Sequence, residues 1–245
     1  MPANRPFILT IAGLDPSGGA GILADVKTFE QHRVQGFAIN TGNTIQTEDV
    51  FSEIQWTDLD FVLRSIRTLF EAYPIQAVKI GIVPSLEYLK AVVLEIKKLS
   101  PKTKIVWDTV LKSTTEFNFL DIENQLILNE VLNLVDLITP NSIEAKMLFS
   151  EPFFENIPCS ILLKGGHLKE KRGIDHLFHN NKIYKFEPTD GSFAPKHGSG
   201  CVLSSAITAQ LALGQNMVDG CEKAKRYIET FLQSNSTQLG YHHVY

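Results

Sequence analysis

The chain has 245 residues, 44% hydrophobic and 20% charged, with a formal net charge of −4, a make-up that fits one α/β domain over residues 1–245 better than two small ones. It has no basic stripe for nucleic acid and no apolar run of the roughly 18 residues a membrane span needs. With no leader-like opening, and with Cys159, Cys201 and Cys221 too scattered for a disulfide framework or zinc site, a cytoplasmic location without nucleic-acid or membrane partners is expected.

Along the chain, apolar bursts alternate with helical spacing. Phe7–Ala12 reads as a buried strand that runs into the glycine-rich Asp15-Pro16-Ser17-Gly18-Gly19-Ala20-Gly21, and a helix follows over 22–29. Gly19-x-Gly21-x-x-Ala24 formally matches a dinucleotide fingerprint. However, Asp15-Pro16 lengthens the turn and would place an acid near a ligand's phosphates. A loop in which Asp15 reaches a polar substrate, with glycines packing closely over it, fits better. Gly36–Ile39 is a short strand followed by a polar loop, and 59–70 is an amphipathic helix.

Strands are then expected at 75–80, 103–107, 135–139 and 159–163, and helices at 86–96, 127–134 and 141–149. Residues 176–178 and 182–186, joined by Asn180-Asn181, read as a β-hairpin, and helices near 200–213 and 217–233 close the chain. This alternation predicts a mostly parallel sheet with helices on both faces, which binds ligands beyond the C-terminal strand ends. Gly13–Gly21, Gly81, Asp108, Pro140-Asn141 and Lys164-Gly165-Gly166 all stand at such ends.

The strongest constellation is Gly198-Ser199-Gly200-Cys201. Free amides between glycines, at the positive end of a starting helix, suit an anion. In the functional reading these amides stabilise a transferring phosphoryl group and Cys201 sits near the attacking oxygen. In the plain reading the glycines end a loop and Cys201 packs. At a helix start the Cys201 thiol is expected to ionise below the free value of about 8.5.

Asn141 and Glu144 are three apart at a helix start, which an ordinary capping box explains. At a strand exit they would also hold magnesium through water, with Asp108 adding charge to the same shell. Lys164 offers a cation near phosphates, or else a salt bridge to Asp136 or Glu144. His32, His176, His179, His242 and His243 read as surface or packing residues. Neither a Walker A loop nor a G-x-S-x-G elbow is present.

Together these motifs resemble the hydroxymethylpyrimidine and phosphomethylpyrimidine kinases of thiamine biosynthesis, within the ribokinase-like superfamily. The likeness runs in order through Ile11–Ile22, Ala24-Asp25-x-Lys27-Thr28-Phe29, Lys79-x-Gly81, Asp108-Thr109-Val110, Thr139–Ala145, Lys164–Leu168 and His197–Ala206, to Ala224-Lys225 and His242-His243. It implies a three-layer α/β/α sandwich, ATP and Mg2+ as cofactors, a small pyrimidine substrate and a homodimer.

Residue by residue, the resemblance makes Cys201 the base and Gly198, Ser199, Gly200 and Cys201 the anion hole. It places Asn141, Glu144, Lys164 and Asp108 at the nucleotide, Asp108 and Glu144 at the metal, and Asp15, Gly19 and Gln46 at the substrate. The chain departs from the family in the polar stretch Asn40–Thr44, in the glycine-free lid Lys112–Glu116, and in a shortened segment between Phe149 and Cys159. Two alternatives stay open: a kinase for the hydroxymethyl group of pyridoxal or pyridoxine, and a nucleotide-binding sensor without turnover.

Overall fold

The computed structural model describes residues 4–112, 117–122, 124–149, 157–166, 173–191 and 193–243. Lid residues 113–116, most of the shortened segment and His167-Leu168 lie outside the described residues. The first half runs β1 (Phe7–Leu14), α1 (Gly21–Gln31), β2 (Gln35–Gln46), β3 (Phe51–Trp56), α2 (Leu59–Ala72), β4 (Ile75–Ile80), α3 (Leu86–Leu99) and β5 (Lys104–Trp107). The second runs α4 (Gln125–Leu132), β6 (Leu137–Ile138), α5 (Ser142–Leu148), β7 (Ser160–Leu163), β8 (Asp175–His179), β9 (Lys182–Phe186), α6 (Ser199–Ala212) and α7 (Met217–Leu232).

The strands form one sheet in the order β3-β2-β1-β4-β5-β6-β7-β8-β9. Pairing is parallel from β2 to β7 and antiparallel at β2–β3, β7–β8 and β8–β9. Strand side chains alternate between faces, and that alternation sets the layers. Leu9 and Ile11, Val78 and Ile80, and Ile105 and Trp107 pack against α2, α3 and α4. Ile8, Ala77 and Val106 turn the other way, toward α1, α6 and α7. The mostly parallel sheet covered on both faces is therefore present. Asn180 and Asn181 take left-handed φ values of 51° and 58°, which the two-residue β8–β9 turn requires.

One expectation fails. The polar stretch after Ile39 is not a loop: β2 continues to Gln46, and β3 returns beside it with Gly42 opposite Trp56. The strand is built on threonines instead of apolar alternation. Buried Thr41 donates to the Ile82 carbonyl and Thr44 to the Leu14 carbonyl, both at 2.8 Å. Polar residues carry no hydrophobic period, so the pattern was invisible. The strand expected at 135–139 also shortens to Leu137–Ile138.

The C-terminal tail is tied down by a half-buried imidazole, His242, and a second half-buried ring, His32, bridges the end of α1 to α6. His242 Nδ1 lies 3.1 Å from Tyr227 Oη, and Gln210 Nε2 lies 3.0 Å from His32 Nδ1. Burial pushes both His32 and His242 down to about 4. An unfolded chain takes up these protons from about pH 6.5 downward while the folded one does not. Stability should therefore fall as pH drops from about 6.5 to 4, by at most about 3 kcal/mol for each histidine. Thermal melts between pH 7.5 and 5 check this, and His242→Phe should flatten part of the slope.

Candidate active site

Because β1, β4, β5, β6 and β7 are parallel, their C-terminal ends meet at one edge, and a cavity of about 560 Å³ opens there. Gly13, Gly81, Asn141, Lys164 and Gly166 from the strand exits line it, together with the start of α6. Asp108 lies directly behind Lys164. Five helices begin on side-chain caps, from Asp58, Ser85, Asn124, Asn141 and Asn216. The two that begin without one, α1 and α6, both start at the cavity. Their first-turn amides are thus not consumed by a cap.

Gly198 has φ 72°, and a Cβ there would lie 2.0 Å from the Gly19 carbonyl oxygen, so only glycine fits. A Cβ on Gly200 would come within 3.4 Å of Lys164 Nζ. The helix start and the lysine therefore converge on one spot suited to an anion. Cys201 lines the same wall. Its acidity runs opposite to expectation: burial pushes the thiol up to about 11, Asp108 and Asp25 add to that, and Lys79 does not offset it. A helix start favours a thiolate, but desolvation and two nearby carboxylates outweigh it here.

Asn141 and Glu144 form a complete capping box: Asn141 Oδ1 accepts from the Ile143 and Glu144 amides, and Glu144 Oε2 accepts from the Asn141 amide at 2.7 Å. Lys164 Nζ donates to Asp108 Oδ1 at 3.1 Å and lies 3.8 Å from Glu144 Oε2. Asp136, the other partner considered for Lys164, instead binds Lys97 and Lys104. Asp108 also accepts from Thr139 and Ser204. Burial works to raise its carboxyl, but Lys164 and Lys79 outweigh that and hold it low.

Glu144 differs. Burial raises its carboxyl despite Lys164, so this carboxylate is short of positive charge. Among the described residues no cluster of three His, Cys, Asp or Glu side chains is poised for a metal. Magnesium that arrives on phosphates needs only one or two carboxylates, and this oxygen donor pair fits it.

Gln46 also lines the cavity, paired with Phe51 across β2 and β3, and the Phe51 ring meets Phe119 edge-on at 5.2 Å. Asp15 is buried with both oxygens hydrogen-bonded, and Gly19 packs behind the His197 ring. A fully buried ion pair, to which residue types alone give no role, stands at the cavity wall. Lys79 Nζ donates to both oxygens of Asp25, at 3.1 and 2.9 Å, and Thr10 and Ser205 hydroxyls complete the carboxylate's shell. A lysine inside the apolar strand Ile75–Ile80 was the available signal.

Residues 15–245 match the family described as Phosphomethylpyrimidine kinase. A hydroxymethylpyrimidine/phosphomethylpyrimidine kinase of Aquifex aeolicus is 35% identical over 95% of this chain and 96% of that protein. The solved structure of a phosphomethylpyrimidine kinase from Clostridium difficile superposes with a TM-score of 0.75 at 32% identity, covering 91% of this chain and 98% of the other. A pyridoxal kinase of Bacillus subtilis, solved as an ADP complex, gives a TM-score of 0.79 at 26% identity, covering 93% and 92%.

Proposed function

The chain belongs to the phosphomethylpyrimidine kinase family, and from that membership we propose a cytoplasmic, homodimeric enzyme that uses ATP and Mg2+. It phosphorylates 4-amino-5-hydroxymethyl-2-methylpyrimidine, and then the monophosphate, in thiamine biosynthesis. The observation that carries this reading is the uncapped start of α6, with Gly198, Ser199, Gly200 and Cys201 facing the same cavity as Gln46. The homodimer rests on the resemblance alone. No helix among the described residues is long and apolar enough to cross a membrane.

Phosphoryl transfer needs positioning and charge stabilisation more than covalent help from the protein. The amides of the first α6 turn would hold the transferring group's oxygens, and Lys164 would move from its carboxylate partners toward the phosphates. Glu144 and Asp108 would hold magnesium, which neutralises phosphate charge when bound. Asn141 would set the α5 start beside it. Gln46 would fix the pyrimidine ring, leaving the hydroxymethyl oxygen near Cys201, whose thiolate form would take its proton as the new bond to phosphorus forms.

The likeness to the B. subtilis pyridoxal kinase supports a second reading, since pyridoxal also presents a hydroxymethyl group on an aromatic ring. Side-by-side kcat/KM values decide between them. The pyrimidine is expected to be the better substrate, and a preference for pyridoxal of about tenfold or more overturns the choice. ATP binding without substrate-dependent ADP release, tested with both, would leave only the sensor.

A further inference from the structure

Asp15 is 1% exposed and accepts four hydrogen bonds. Oδ1 takes the Ser17 amide at 2.8 Å; Oδ2 takes the Ser17 hydroxyl at 2.8 Å, the Ala20 amide at 2.8 Å and His197 Nε2 at 2.9 Å. Oδ2 is thus filled by three donors, while Oδ1 accepts one and keeps a lone pair at the cavity wall, so most of this carboxylate's capacity is spent inside the protein. Three of the donor groups lie within five residues of Asp15 and close its own turn. The fourth comes from 182 positions away, on the residue before Gly198. His197 Nδ1 is buried without a partner among the described residues, which puts the ring's proton on Nε2, facing Asp15.

The two loops touch without slack. A Cβ on Gly19 would lie 2.7 Å from the His197 ring, and one on Gly198 would lie 2.0 Å from the Gly19 carbonyl oxygen. The His197 amide is itself held by the Gln238 carbonyl at 2.9 Å. An uncapped helix start frays unless something outside the helix orders it, and here Gly198 brings no side chain.

We propose that Asp15 is a positioning residue: through His197 it locks the β1–α1 loop to the start of α6 and so holds the Gly198–Cys201 amides in place for the transferring group. Its catalytic consequence rests on the phosphoryl-transfer reading of that turn; the lock itself does not.

The test uses the full chain with Asp15→Asn, His197→Leu, His197→Gln and the Asp15→Asn/His197→Leu double variant. Hydrogen exchange of the 197–203 segment reads the lock, and steady-state kinetics read its effect on turnover. His197→Leu should speed exchange there about tenfold or more, and should lower kcat roughly 10–100-fold with the pyrimidine KM kept within about threefold. His197→Gln, which keeps an N–H at the same reach, should restore both. The double variant should be no worse than the worse single change.

Unchanged exchange in His197→Leu overturns the lock. So does an Asp15→Asn variant whose pyrimidine KM rises about tenfold at unaltered kcat, since that marks a substrate ligand. If His197→Leu fails to fold, Asp15→Asn, which nearly keeps the shape, carries both readouts. Faster exchange in a protein whose wild type turns over no substrate leaves the lock standing and removes the phosphoryl-transfer reading.

Discussion

Replacing Cys201 by alanine is expected to lower kcat roughly 10²–10⁴-fold while leaving ATP affinity nearly unchanged. The thiol lines the wall where the α6 amides and Lys164 converge, so its loss removes a proton acceptor without touching the phosphate contacts. With burial pushing it up to about 11, the group is a thiol at neutral pH in the ligand-free chain. The reactive thiolate fraction therefore grows with pH, and wild-type kcat should rise between pH 7 and 9. The alanine variant should lose that rise.

Cys201→Asp should retain more activity than alanine. Asp108 and Asp25 already repel an anion there, which bounds the recovery. The competing account has the amides of Gly198–Gly200 stabilising the transferring group while Cys201 only packs. A loss of less than about threefold in the alanine variant would favour it, removing the base and sparing the anion hole.

What was legible in the chain follows the physics of each signal. The parallel core could be read because β1, β4 and β5 are short apolar runs between amphipathic helices, and buried parallel strands announce themselves that way. The glycines before Cys201 could be read because a helix start that has no capping side chain needs another reason. The far half of β2 was hidden, since threonine hydroxyls satisfied by the Leu14 and Ile82 carbonyls replace the apolar alternation, and β3 followed it out of view as part of the same polar stretch. The acidity of Cys201 was misjudged because it depends first on burial and then on Lys79, Asp108 and Asp25, which lie far off in sequence. Residue types also could not show that Asp15 spends most of its lone pairs on its own turn and on His197.

The Lys79–Asp25 pair illustrates the same point and carries the largest expected effect on stability. Ala77 and Lys79 share the β4 face that turns toward α1 and α6, and the lysine is 0% exposed at the cavity wall. Burial works to neutralise it, but Asp25 opposes that and keeps the ammonium charged. Removing one partner of a buried pair strands the other's charge, at a cost of about 3–5 kcal/mol. Lys79→Met should therefore destabilise the fold by that amount, leaving Asp25 with only the Thr10 and Ser205 hydroxyls. Asp25→Asn/Lys79→Met removes both charges together. It should recover most of the loss, because a neutral amide can still use those hydroxyls and methionine fills the lysine's volume. Urea unfolding of the two variants at constant m-value measures the difference. A single variant that costs less than about 1 kcal/mol, or a double variant no more stable than the single, would show that the site tolerates a lone charge and that water reaches Asp25.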